Sequence, residues 1–282
     1  MGKLKTMNMV LICLMAFLAG CLSNNADSTK ISVAGSTTVL PVISKAAEEY
    51  KNVEPDVLVL VSAGGSGVGV RSVGSGLVDI GMISRDISEA EREEFKDVDF
   101  KEFVVGRDAV AVMVSSKIYD SGVTSLSFEQ LKGIYSGEIE NWAEVGGPDR
   151  EIFVIDKEAA RGTRHVFMKA VFGEDEAEAR GADIIIGSNN EGQTAVVQSD
   201  AGITTLSLAW ESDDVKIIGI EINGEVIRPT LETIINNKYP IFRDLVLITS
   251  GEPAGKVKEF IEFVLGEKGQ NIVEDSGYVA VN

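Results

Sequence analysis

Cysteine is almost absent from this chain: its 282 residues contain two, Cys13 and Cys21, both near the N-terminus. With no thiol further along, disulfide frameworks, thiolate metal sites and cysteine nucleophiles drop out, and stability has to come from packing. Histidine is scarcer still. His165 stands alone, which argues against a Ser-His-Asp triad and makes it an expected helix-surface or capping residue. Positive charge is also short, 26 Lys and Arg against 44 Asp and Glu for a net charge of −18, so nucleic acid is a poor partner. A small anion is not excluded, because amide dipoles, hydroxyls and one or two local cations make a pocket positive inside a negative shell. Internal repeats and low-complexity segments are missing after residue 29, so composition marks no domain boundary. With 44% hydrophobic and 25% charged residues, the chain has globular composition and enough length for two moderate cores.

The N-terminus reads as a targeting segment and not as part of the fold. Lys3 and Lys5 form a basic head before an apolar run from Met9 to Ala19, shorter than the ~20 residues a bilayer span needs. The run ends in Leu18-Ala19-Gly20-Cys21, which resembles the lipobox of secreted lipoproteins, with cleavage before Cys21 and acylation of its thiol. A plain secretory signal with an incidental cysteine is the alternative. Either way residues 1–20 are read as a signal peptide, residues 21–28 as a tether, and the mature protein as extracytoplasmic. Loss of Lys3 and Lys5 leaves 24 basic residues against 44 acidic ones, a charge of about −20.

Apolar runs at 57–61, 109–114, 152–155, 184–186 and 245–248 read as strands buried on both faces. Amphipathic stretches lie between them. In Pro41 to Tyr50, for example, Val42, Ile43, Ala46, Ala47 and Tyr50 share one face. The alternation indicates an α/β protein with largely parallel sheets. Residues 256–264 and 266–272 read as two short helices packing on the first domain.

Three stretches place Ser or Thr beside Gly just before a helical pattern: Gly35-Ser36-Thr37-Thr38, Gly64-Gly65-Ser66-Gly67 and Arg161-Gly162-Thr163-Arg164. Each combines free amides, a hydroxyl and a helix N-terminus, the chemistry that faces an anion. Taken singly, each is also an ordinary N-cap or glycine turn. Together they point to a pocket for a small oxyanion. The glycines match neither the nucleotide P-loop nor the dinucleotide spacing, and Ser66 is not in a nucleophile elbow. Ser84-Arg85-Asp86 closes another strand and offers a hydroxyl, a guanidinium and a carboxylate, or simply a surface ion pair beside a cap at Ser88. Lys157, Arg161 and Arg164 gather positive charge, although a solvated helix face would look the same.

On these residues the chain resembles the substrate-binding lipoprotein of the phosphate ABC importer, a family of two-domain periplasmic binding proteins. The likeness runs through Ala34 to Pro41, Gly65-Ser66-Gly67, Val78 to Gly81, Ile134 to Asp149, Gly162-Thr163-Arg164, Tyr239 to Arg243 and Gly277-Tyr278-Val279. It implies a periplasmic-binding-protein fold in which each domain is a mostly parallel sheet flanked by helices and the ligand lies in the cleft between them. Domain I would comprise residues 29–106 with 244–282, and domain II residues 107–243, joined by crossing strands near 104–112 and 238–246. The resemblance implies donors at Thr37, Thr38, Ser66, Gly162 and Thr163 and an acceptor at the position of Ser84; with Ser36, Arg85, Lys157 and Arg161 from the residue reading, these are the candidate site for inorganic phosphate, and no catalytic residue, cofactor or metal is expected. The implied partners are an ABC permease with its ATPase and, through lipid on Cys21, the outer face of the cytoplasmic membrane. The protein would act as a monomer without nucleic acid.

Three positions depart from the family. Lys157 stands where Arg is common, Arg161 where Ser is common, and Ser84 where a carboxylate can accept the proton of the ligand. Lysine lacks the guanidinium fork, so Arg161 is expected to take over the bidentate contact, and Asp79, Asp86 or Asp156 to supply the acceptor. Other readings stay open: another oxyanion such as tungstate, molybdate or sulfate, a phosphate sensor without transport, or a secreted hydrolase using Ser66.

Overall fold

The apolar runs do form strands, and their order decides which faces they bury. In the computed structural model, which describes residues 29–281, β1 (Thr29–Gly35) pairs in parallel with both β2 (Val57–Ala63) and β3 (Ile80–Ile83). The signal segment, Cys21 and the tether lie outside the described residues. Helix α1 (Leu40–Val53) joins β1 to β2, with Pro41 in its first turn and Val42, Ile43, Ala46 and Tyr50 buried. Helix α2 (Ser66–Gly74) then leads to β3, and α3 (Glu89–Glu94) starts in a capping box of Ser88 and Glu91.

Strand β4 (Phe100–Ser115) is 16 residues long because it serves both halves of the molecule. It begins against β12 (Phe242–Ser250) and ends against β8 (Gly202–Ser207), antiparallel to both. Beyond β8 lie β6 (Phe153–Lys157) and β7 (Ile184–Ile186), parallel to one another. The path is therefore β2-β1-β3-β12-β4-β8-β6-β7, with β9 (Val215–Ile217) on the side of β4. Largely parallel sheets were the expectation, and this is corrected at the centre. The wings are parallel, but β3, β12, β4 and β8 are antiparallel, because the chain that leaves on β4 comes back on β12.

Burial on both faces holds for Ala109 to Val114, all 0% exposed, and fails for two other runs. Leu58 and Leu60 on β2 and Ile184 and Ile185 on β7 are exposed, since these strands close the two ends of the sheet and lack a covering layer.

The remaining elements fill in around this frame. Helices α4 (Ser116–Asp120) and α5 (Phe128–Ser136) flank β5 (Ser125–Ser127), which joins β10 (Gly219–Ile222) and β11 (Glu225–Ile227) in a three-stranded sheet. Helix α6 (Gly162–Phe172) follows β6, α7 (Asn189–Val197) follows β7, and α8 (Leu231–Ile235) precedes β12. The tail forms α9 (Gly255–Leu265) and α10 (Glu267–Asp275), the two helices expected there.

Two main cores result. One gathers Ile31, Ile43, Tyr50, Leu245, Phe260 and Val273, so the tail helices pack on the first half as expected. The other gathers Val112, Leu131, Trp142, Phe167, Ile203 and Tyr239. Strands β4 and β12 supply both, and their pairing shifts register at Leu245/Val246, opposite the point where the chain passes from one core to the other.

Trp142 anchors the second core: it is 0% exposed and its indole Nε1 donates to Ala201 O at 3.0 Å. Trp142→Ala is expected to lower unfolding free energy by about 3–5 kcal/mol, read from urea denaturation, with Trp142→Phe losing clearly less.

Candidate functional site

Four strand-to-helix turns meet where the two halves face each other. The loop after β1 brings Ser36, Thr37 and Thr38, and the turn after β2 brings Gly65 and Ser66 at the start of α2. From the second half come Gly162 and Thr163 at the start of α6, and Gly187 and Ser188 ahead of α7. The first-turn amides of α2, α6 and α7 have no acceptor within their own helices, so three positive helix ends address one small pocket. Ser84, Lys157 and Arg161 complete its lining. Nine of the ten residues proposed from sequence are thereby brought together.

Local bonds fix the hydroxyls. Ser36 N–H donates to Met82 O at 2.8 Å, pinning the first loop to β3. The Ser36 hydroxyl accepts from the amides of Thr38 and Val39 and donates to Ser84 Oγ at 2.9 Å. Ser84 N–H in turn donates to Ser66 Oγ at 3.0 Å. Glycine at 162 is obligatory, because a Cβ there would sit 2.7 Å from Ser84 Oγ and 3.0 Å from its carbonyl oxygen. The halves touch across the cleft: Gly67 N–H donates to Ala160 O at 3.2 Å, and Asn189 Nδ2 to Thr38 Oγ1 at 3.1 Å.

Three cations lie in or behind this pocket, and two are already neutralised. Arg161 gives its Nε and Nη2 to Glu158, leaving Nη1 without a protein acceptor among the described residues. Arg243 lies buried behind it, bonded to Asp108. Lys157, 2% exposed, donates to Ser188 O at 3.2 Å. Burial, followed by the positive charges of Arg243 and Arg161, pulls its ammonium down to about 7.

Arg85 is the exception among the proposed residues. Ser84 turns inward, and Arg85 turns away to a buried bidentate pair with Glu91, 2.8 Å on each arm. Burial alone would raise the Glu91 carboxyl, but Arg85 and Ser88 outweigh it and hold it below its ordinary value. The guanidinium is held there by the α3 capping box and takes no part in the pocket lining.

The three acceptor candidates are elsewhere too. Asp79 accepts from the amide and hydroxyl of Ser32, Asp156 accepts from Arg164 Nε at 2.9 Å, and Asp86 is exposed. Among the described residues lining the pocket none is a carboxylate. The expectation for His165 is corrected as well. It is mostly buried rather than on the helix surface, and burial, then Arg85, lowers its pKa. With Arg85, Lys169 and Asp175 it lines a separate groove of about 670 Å³ that carries both signs of charge. No group of three or more His, Cys, Asp and Glu side chains among the described residues is placed to hold a metal ion.

Sequence reading missed Gly187 and Ser188, and the buried Asn189, Asp108 and Arg243. Ser188 had a legible signal, Glu191 three residues on, and its hydroxyl does accept from Glu191 N–H. Arg243 closes the Tyr239 to Arg243 stretch of the family likeness, but nothing local marks its role or that of Asp108, since the two pair across 135 residues.

This architecture is that of a periplasmic-type solute-binding protein, and comparison with known proteins agrees. The model of the PBP superfamily domain matches residues 23–268. The phosphate-binding protein PstS of Bacillus subtilis is 32% identical, covering 100% of this chain and 95% of that protein. PstS of Borreliella burgdorferi is 32% identical over 91% of this chain and 92% of its own length. A Clostridium perfringens protein assigned as a phosphate ABC transporter substrate-binding protein, solved with bound phosphate, superposes with a TM-score of 0.81 at 30% identity, covering 90% of this chain and 100% of that one. The chain belongs to the PBP superfamily and, within it, to the family of phosphate-binding proteins PstS.

The position of Lys157 sets a pH dependence. Burial and the neighbouring cations pull the ammonium down to about 7, whereas a bound anion favours the charged form, so binding takes up a proton above that pH. Between pH 8 and about pH 9.5, where inorganic phosphate is already the dianion, affinity is expected to fall by up to about tenfold per unit. Lys157→Arg, charged throughout, is expected to stay flat over the same range by calorimetry.

Proposed function

We propose that this chain captures inorganic phosphate outside the cytoplasm and delivers it to an ABC import permease driven by a cytoplasmic ATPase. The observation that carries this reading is the convergence of helix N-termini and hydroxyls from both halves, with one unneutralised cation, Lys157, on one small pocket. Such a shell replaces the water around a tetrahedral oxyanion without supplying a reaction. The polar partners of Ser66 Oγ are the amide and hydroxyl of Ser84, and among the described residues it makes no hydrogen bond to an imidazole, carboxylate or amine that would activate it as a nucleophile. The relatives named for phosphate binding support the choice of ligand.

In this reading Thr37, Thr38, Ser66, Gly162 and Thr163 donate to the anion, Lys157 supplies charge, and Arg161 offers its free Nη1 edge. Residues 29–106 with 244–282 and residues 107–243 act as two units that close on the ligand by bending at β4 and β12. Acylation of Cys21 tethers the monomer to the outer face of the membrane, as Leu18-Ala19-Gly20-Cys21 indicates.

Selectivity takes a particular form here. A carboxylate acceptor penalises a protonless anion, whereas the hydroxyl of Ser84 rotates to donate or accept as the ligand requires. Sulfate therefore meets no unpaired buried acceptor.

Calorimetric titration is expected to show one phosphate per chain, with sulfate binding more weakly by less than the ~10⁴–10⁵ that a dedicated hydrogen-bonding site achieves. Absence of phosphate binding overturns the ligand; phosphate uptake unchanged on deleting the protein overturns transport in favour of a sensor. Cys21→Ala is expected to move the protein from the membrane to the soluble fraction.

A further inference from the structure

The guanidinium of Arg243 is outside the pocket lining, yet it touches one pocket threonine from each half of the molecule. Its Nη2 donates to Thr38 Oγ1 at 3.0 Å and its Nη1 to Thr163 Oγ1 at 2.9 Å. We propose that Arg243 is the positioning residue that orients Thr38 and Thr163 as donors toward the bound anion, an inference that rests on the oxyanion reading above.

A threonine hydroxyl has one proton and two lone pairs, and it rotates to suit its neighbours. At Thr38 both lone pairs are filled, by Arg243 Nη2 and by Asn189 Nδ2 at 3.1 Å. At Thr163 one is filled by Arg243 Nη1. Neither hydroxyl donates to a protein acceptor among the described residues, and both residues line the pocket. The protons are left for the ligand. At Thr38 the second partner is Asn189, whose Nδ2 donates while its Oδ1 has no partner among the described residues; an acceptor in place of Arg243 would let either threonine turn a lone pair inward, the wrong polarity for an oxyanion. Arginine only donates and does not lose its proton, so it holds one lone pair of each hydroxyl away from the pocket at every working pH.

The charge of Arg243 is answered where it stands. Asp108 Oδ2 accepts from Nε at 3.1 Å and from Nη2 at 2.8 Å, while Ser207 Oγ donates to Asp108 Oδ1 at 2.8 Å. Asp108 and Arg243 are 1% and 4% exposed. The pair thus contributes direction rather than net attraction and leaves Lys157 as the charge that draws the anion. Asp108 belongs to β4 and Arg243 to β12, the two strands that pass between the cores. One rigid fork thereby orients a donor on each side of the cleft.

The test is a double-mutant cycle on phosphate affinity in the full chain, with melting temperature read alongside. Arg243→Lys keeps a cation beside Asp108 but replaces the fork with a single point donor. It is expected to weaken phosphate by about tenfold or more in the wild-type background. In a Thr38→Val/Thr163→Val background, where no hydroxyl remains to be oriented, the same change is expected to weaken phosphate by less than about threefold. Equal fold-changes in the two backgrounds, or no change in the first, overturn the inference and leave Arg243 as a stability element only. Should Arg243→Lys fail to fold, Asp108→Asn/Arg243→Gln removes both charges together and is judged by the same comparison. A wild-type chain that binds no phosphate overturns the oxyanion reading and this inference with it, whereas wild-type binding unaffected by Arg243→Lys overturns this one alone.

Discussion

Burying a multiply charged anion is tolerable only where the protein replaces its lost water with donors that already point at it. That requirement organises this molecule. No single helix end supplies enough donors for a tetrahedral ligand, so several must converge, and a turn after β1 or β2 faces a turn after β6 or β7 only where the two wings of the one sheet are brought round to each other. Strands β4 and β12 are the covalent solution. They run through both cores and carry, at the crossing, the Asp108–Arg243 pair that lies behind the pocket.

The electrostatics follow the same economy. In a chain with a net charge of −18, the pocket keeps one unneutralised cation, Lys157. Arg161 and Arg243 are paired with Glu158 and Asp108 and act through geometry instead. Crowding by those cations, added to burial, is why the ammonium of Lys157 is poised near neutrality. In the phosphate-binding reading proposed above, an incoming anion restores its charge, so the site gains attraction when it is filled. The neighbouring carboxylates are occupied: the buried Asp156 is bound to Arg164, Glu158 to Arg161, and Glu191 to the Gly187-Ser188 turn.

What the sequence disclosed was what local chemistry determines. Glycine and hydroxyl between an apolar run and an amphipathic one mark a strand-to-helix turn, and Ser36, Ser66 and Gly162 were legible for that reason. The stripe of α1 and the two tail helices were legible from spacing alone. Relations across the chain were not. Nothing adjacent to Arg243 announces that it meets Asp108, Thr38 and Thr163, and nothing adjacent to Arg85 announces that Glu91 will claim it. The antiparallel centre of the sheet was hidden likewise, since an apolar run reads the same whichever way its neighbour runs.

The central claim is that amides from separate turns on both halves jointly solvate one anion. Backbone ¹⁵N–¹H spectra recorded as phosphate is added to the labelled protein test it most directly. The account predicts the largest shifts at Thr37, Ser66, Gly162 and Thr163 together, saturating with a single affinity. Shifts confined to one half, or centred on the groove of Arg85 and His165, would contradict it.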